Sequence, residues 1–192
     1  MTRATESPRG RLLDVAARLF YAEGIHAVGI DRVIAEASVA KATLYAHFPS
    51  KADLVAAYLA RRSQEWVEAN EARLSEQPEG GVGALVALFD LLYEETLRPA
   101  FRGCPFINAA AEFPAPGPVW TEVARHRERV RRVFSSAGGP LVRDAATLDA
   151  LIALYGGATS AAHLDRDPTV VRRAADAARA LVASGVAARS TN

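Results

Sequence analysis

Of the 23 basic residues in this chain only two are lysines, and both, Lys41 and Lys51, fall within one eleven-residue stretch. Thr43, Tyr45 and His47 lie between them, with Ala40 and Ala42 at the head of the run. The pairing of the two lysines is either an accident of composition or a pointer to where function lies. The N-terminal third is mildly basic. Residues 1–62 carry nine basic against six acidic residues, and residues 63–192 fourteen against sixteen, within a net charge of +1. No G-x-S-x-G, H-E-x-x-H, phosphate-loop or dinucleotide fingerprint occurs, and there are only four histidines, so an enzyme on a helical bundle is the minor reading. Glu122 and His126 are four apart, yet no second Glu-x-x-His helix exists to complete a metal site. Cys104 is the sole cysteine, which excludes an internal disulfide; a bland thiol is favoured over a sensor. Neither cofactor nor metal is expected.

The elements that must position these residues are helical. Half of the residues are apolar, 23% are charged and 40 are alanine, a composition that folds and favours helix, while no stretch alternates as a strand does. No apolar run reaches the ~18 residues needed to cross a bilayer, and the polar start has no signal-peptide core, so a cytoplasmic protein is expected. Ser7-Pro8 opens the first helix and Gly24 stops it. Short helices follow at 30–37 and about 40–47, separated by Ser38-Val39, and Phe48-Pro49 closes the second of them. Ser50, with Asp53 three positions on, caps a long fourth helix reaching about residue 75. After the linker-like stretch 76–83, five more helices are read at about 85–96, 106–113, 119–134, 144–164 and 168–188, giving nine.

The second and third helices have the lengths and spacing of a helix-turn-helix, with Val33, Ala37, Val39 and Leu44 apolar where the two must pack. Periodicity alone leaves an ordinary hairpin in a bundle equally open. The full string from Gly24 to Leu54 goes further: Gly24, Ala37, Val39, Lys41, Thr43, Leu44, Tyr45, His47, Phe48, Ser50, Lys51 and Leu54 keep one unbroken register. That string resembles the DNA-binding domain of TetR/AcrR-family repressors. The stretch 102–114 is similar to a segment found in a subset of these regulators. Gly29, Ser38, Ala40 and Ala42 depart from the family pattern, and a left-handed Ser38 would cost roughly 1 kcal/mol.

What the resemblance implies is an all-α protein with a helix-turn-helix domain at 1–50 and a ligand-binding and dimerisation domain at 51–192. Within the motif, residues at the front of an exposed helix read bases in the major groove, and flanking cations grip phosphates. Lys41 can donate to guanine or phosphate, and the methyls of Ala40, Ala42 and Thr43 suit thymine methyls. Arg32 is a further base or phosphate candidate, while Tyr45, His47 and Lys51 are assigned to phosphates. Arg3, Arg9 and Arg11 form either a minor-groove arm or, more simply, a solubilising tail. The resemblance also implies an effector pocket, for which Trp66, Phe89, Tyr93, Phe106, Phe113 and Trp120 are the aromatic candidates, and a homodimer interface on the last two helices, with Leu148, Leu151, Ile152, Tyr155, Val171 and Leu181. The basic run 125–132 is read as a solvated helix face. The function so implied is a regulator, most simply a repressor, that binds a palindromic operator as a dimer and is released by a small-molecule effector, with the fourth helix as lever. A helical ligand-binding protein that has lost DNA binding is the alternative.

Overall fold

The computed structural model describes residues 7–77 and 80–190, with side chains described through residue 184. Among the described residues there are nine α-helices and no strand: α1 (Pro8–Glu23), α2 (Ile30–Ala37), α3 (Lys41–His47), α4 (Lys51–Ser75), α5 (Gly81–Thr96), α6 (Pro105–Glu112), α7 (Pro118–Gly138), α8 (Ala145–Leu164) and α9 (Thr169–Ser190). A 3₁₀ turn at Gly139–Val142, which sequence periodicity did not signal, joins α7 to α8. The all-α architecture is the one expected, with differences at several helix ends. Helix α5 begins at Gly81, inside the stretch read as linker, and α7 runs past Phe134 to Gly138.

Two compact units divide the chain, Met1–Ser63 with Pro105–His126, and Gln64–Cys104 with Arg127–Asn192, so two of the three divisions fall within α4 and α7 and the third at the start of α6. The boundary expected at 50/51 lies inside the first unit. In that unit Leu12, Ala16, Leu19 and Phe20 turn the buried stripe of α1 inward, as their spacing of three and four dictates. Val33 and Ala37 of α2 and Leu44 of α3 are buried, and Phe20 meets Tyr58 of α4 edge to face at 6.0 Å. Arg9 and Arg11 are no tail. They belong to α1, where the Arg9 guanidinium lies 5.2 Å from the Phe48 ring centroid and Arg11 Nε donates to the Ala37 carbonyl at 3.2 Å. Arg3 lies outside the described residues.

In the second unit α5 packs on α8 and α9. Phe89, Phe134 and Tyr155 meet as three edge-on pairs at 5.3–6.2 Å, each worth about 0.5–1.5 kcal/mol beyond the area buried. Leu88, Leu151 and Val171 are fully enclosed there. The basic run on α7 is only partly a solvated face: His126 and Val130 turn inward and Arg129 is half-buried, because a helix that buries Val123, Val130 and Val133 carries their neighbours partway round with them.

Candidate nucleic-acid interface

The turn between α2 and α3 is built on Ser38, whose φ of 53° and ψ of 50° are left-handed. Its N–H donates to the Ala35 carbonyl at 3.2 Å and the Val39 N–H to the Ile34 carbonyl at 3.3 Å, which closes α2 in a Schellman arrangement. Glycine usually supplies this conformation, so serine holds it at a cost of about 1 kcal/mol. Beyond the turn, α3 starts from Ala40, whose carbonyl accepts from Thr43 and Leu44 at 3.0 and 3.3 Å. Leu44 and Phe48 are buried, which fixes the inner side of α3 against α1 and α2. The opposite side therefore presents Ala40, Lys41, Ala42, Tyr45 and His47 to solvent, with Thr43 half-buried at its edge. Tyr45 is left 43% exposed on this short helix.

Electrostatics separates the basic candidates. The Lys41 ammonium lies 3.1 Å from Asp31 Oδ1, both side chains well exposed, and that carboxylate raises the Lys41 pKa above the usual lysine range. Lys51 opens α4, half-buried, with its ammonium 6.0 Å from the Phe20 ring centroid; burial pushes its pKa down while Glu112 opposes the fall. Just before it, Ser50 Oγ accepts from the Asp53 N–H at 3.2 Å and donates to Asp53 Oδ2 at 2.7 Å, the reciprocal cap expected from the sequence. Arg32 is engaged differently. Its two terminal nitrogens donate to Glu23 at 2.6 and 2.9 Å and its Nε donates to Glu36 at 2.9 Å, while Glu36 also pairs with Arg18. Bonds from Arg32 hold the Glu23 carboxyl below the ordinary range, and bonds from Arg18 and Arg32 do so for Glu36. The guanidinium is a brace between the end of α1 and α2.

Sequence reasoning missed Glu112. Its carboxylate accepts from the backbone N–H groups of Ile25 and His26 at 3.0 and 2.5 Å and pairs with His26 Nδ1 at 3.0 Å. The His26 ring in turn stacks on Phe113, centroids 5.6 Å apart. The end of α6 is thus bolted to the loop that leads into α2. A separation of more than eighty residues leaves no local signal for such a contact. Ser63 and His126, both buried, form another unforeseen link, Oγ to Nδ1 at 2.9 Å, with the Phe106 ring stacked 3.6 Å from the imidazole.

The six aromatic pocket candidates do not gather in one unit. Phe106, Phe113 and Trp120 belong to the first, where Trp120 Nε1 donates to the Phe113 carbonyl at 2.8 Å. Trp66, Phe89 and Tyr93 belong to the second. There Trp66 Nε1 donates to the Tyr155 hydroxyl at 3.2 Å, the Arg172 guanidinium sits 4.1 Å from the Tyr93 ring centroid, and burial pushes the Tyr155 phenol pKa up. Of the residues assigned to a dimer interface, Leu148, Leu151 and Val171 are buried in the core of their own unit, where hydrophobic spacing on α8 and α9 serves intramolecular packing first. Ile152, Tyr155 and Leu181 are only partly covered. Cys104 is half-buried. Among the described residues no cluster of three His, Cys, Asp or Glu forms a metal site, and no helix is long and apolar enough to cross a membrane.

A three-helix head offering one face of a short helix, backed by a turn and two capped neighbours, defines the class of helix-turn-helix DNA-binding regulators. Comparison with known proteins agrees. Residues 12–58 match the model for bacterial regulatory proteins of the tetR family. The crystal structure of SCO4454, a TetR-family transcriptional regulator from Streptomyces coelicolor, is 36% identical over 92% of this chain and 95% of that one, with a TM-score of 0.84. The chain belongs to the TetR family of transcriptional regulators, a family of DNA-binding proteins and not of enzymes. Over 53 residues, 28% of this chain, it is 45% identical to the HTH-type transcriptional activator FasR of Mycolicibacterium smegmatis, a match spanning 24% of that relative. The transcriptional regulator FadR of Bacillus subtilis, solved in complex with stearoyl-CoA, shares the fold at 12% identity, with a TM-score of 0.68 over 91% of this chain and 97% of that one.

Proposed function

We propose that this regulator is a repressor that binds a palindromic operator as a homodimer in the cytoplasm and is released by a small-molecule effector. In this reading α3 enters the major groove. Lys41 and Thr43 read base edges, Ala40 and Ala42 offer methyl contacts, and Tyr45, His47 and Lys51 hold phosphates. The observation that carries it is the outward face of α3, where Lys41, Ala42 and Tyr45 are exposed while Leu44 and Phe48 lock the inward one. Arg32, tied to two carboxylates, serves as a brace that sets α2 rather than as a base reader. Each head offers few contacts, so two copies spanning half-sites a helical turn or more apart give the affinity one lacks. The exposed sides of α8 and α9 are the surface assigned to pairing.

Release requires an effector that prefers a conformation unfit for DNA, and a coupling of about 1–3 kcal/mol is enough for a useful switch. The second unit, rich in aromatic side chains, is where we place that ligand; that a protein of this fold can hold a small molecule is supported by FadR, solved in complex with stearoyl-CoA. Helix α4, shared between the two units, is the lever in this scheme. The test is transcription from the promoter upstream of the regulator's own gene, measured with and without the protein. Output falling with protein, together with salt-sensitive binding of that DNA, supports repression; output rising with protein makes it an activator.

A further inference from the structure

Four arginines stand on α1 and α2, and three of them are engaged within the head itself. Arg18 pairs with Glu36, Arg32 holds Glu23 and Glu36, and Arg11 donates from Nε to the Ala37 carbonyl. Arg9 differs: it is exposed, and among the described residues no carboxylate meets it. A ring places its guanidinium instead, 5.2 Å from the centroid of Phe48, whose side chain is 2% exposed and anchored in the core. That seat lies at the end of the exposed helix. Phe48 closes α3 and follows the exposed His47, the two rings 6.4 Å apart. Arg11, two residues on from Arg9, ties the same turn of α1 to the last residue of α2. The first turn of α1 therefore lies against both halves of the helix-turn-helix, with an uncompensated guanidinium beside the C-terminal end of α3. The anion that such a cation neutralises must come from outside the head.

Resting on the reading above that α3 enters the major groove, we infer that Arg9 is a further DNA-contact residue: its guanidinium takes a backbone phosphate beyond the one assigned to His47, which extends the interface from α3 onto the first turn of α1. Helix-turn-helix heads bring the front of the recognition helix to the base edges. Arg9 stands by the opposite end, which leaves it the backbone and not the bases. Arginine suits the role because its planar fork matches two phosphate oxygens, and a guanidinium already seated on a ring gives up less freedom on binding than a mobile one.

The experiment is titration of the full chain, by fluorescence anisotropy over a series of salt concentrations, against two duplexes: one selected by the wild-type protein from a random pool, the other of random sequence. Arg9→Gln is expected to weaken both by a similar factor, about fivefold or more at low salt, and to reduce the slope of log affinity against log salt by about one for each bound copy. Arg9→Lys, which keeps the charge without the fork, is expected to retain the wild-type slope while binding about threefold more weakly. Arg125→Gln, which removes an exposed arginine of α7 paired with Glu122, is expected to match the wild type in affinity and slope. An unchanged slope in Arg9→Gln would overturn the inference whatever its melting temperature, since a packing role moves stability and not ion release. A loss confined to the selected duplex would sink it too, by marking a base contact, as would an equal fall in slope in Arg125→Gln, because DNA would then sense net charge and not position. Should Arg9→Gln fail to fold, Arg9→Lys decides, and wild-type affinity there counts against the phosphate contact. A wild-type protein that binds neither duplex would overturn the reading of α3 along with it.

Discussion

The Lys41 ammonium pairs with Asp31, which stands in the first turn of α2. Because both groups are well exposed, the pair adds little to folding. Replacing Lys41 with alanine is expected to weaken sequence-specific DNA binding about tenfold or more while leaving the melting temperature within a degree or two, as fluorescence anisotropy and thermal denaturation would show. Lys51→Ala is expected to act differently. In the proposed role of phosphate contact it would carry no sequence information, so its loss is expected to weaken all duplexes alike and reduce the salt slope by about one. Glu112 belongs to the same scale. Its carboxylate satisfies two backbone N–H groups in the loop before α2, so Glu112→Ala is expected to destabilise the protein by about 1–2 kcal/mol in urea denaturation, with DNA affinity falling alongside. Unchanged stability would mean that water replaces the carboxylate at no cost.

Among the elements, those that announce themselves locally were the legible ones. Ser7-Pro8 before α1, the Ser50–Asp53 cap before α4 and the proline after Phe48 each act within one turn, so their physics is written in adjacent residues, and α2 was placed to the residue. Ser38 does adopt the left-handed conformation whose cost the sequence raised, and Ser38→Gly is expected to stabilise the protein by about 0.5–1 kcal/mol, read from the urea midpoint. What stayed hidden depends on distant chain. No period betrays that Glu112 bonds to Ile25 or that His126 meets Ser63. Apolar spacing on α8 and α9 likewise says that Leu151 and Val171 are buried, without saying by what. The start of α9 gives a pH test. Asp167 accepts from the Thr169 N–H and hydroxyl at 2.9 and 2.5 Å and from Arg173 at 2.8 Å, and these bonds, led by the Thr169 hydroxyl, lower its pKa to about 2 from 3.8. A carboxyl depressed on folding stabilises above its unfolded pKa and loses that contribution as pH falls through the folded one. Asp167→Ala is therefore expected to lower the melting temperature at pH 7, with the gap to wild type closing between about pH 4 and pH 2.

For the whole molecule, a net charge of +1 gives no general attraction to nucleic acid, so affinity must come from a local set of cations and from geometry. That makes specificity the decisive property. A face built to read bases discriminates, whereas a merely basic surface does not. The most direct measurement is selection of duplexes from a random pool by the full-length protein, followed by titration of the selected and random sequences at two salt concentrations. A dyad-symmetric sequence bound at least about 10³-fold more tightly than random duplex, with most of that preference lost in Lys41→Ala and Thr43→Ala, is the predicted result. Enrichment of no sequence, or a preference that both substitutions leave untouched, would contradict the assignment of α3 as the reading element.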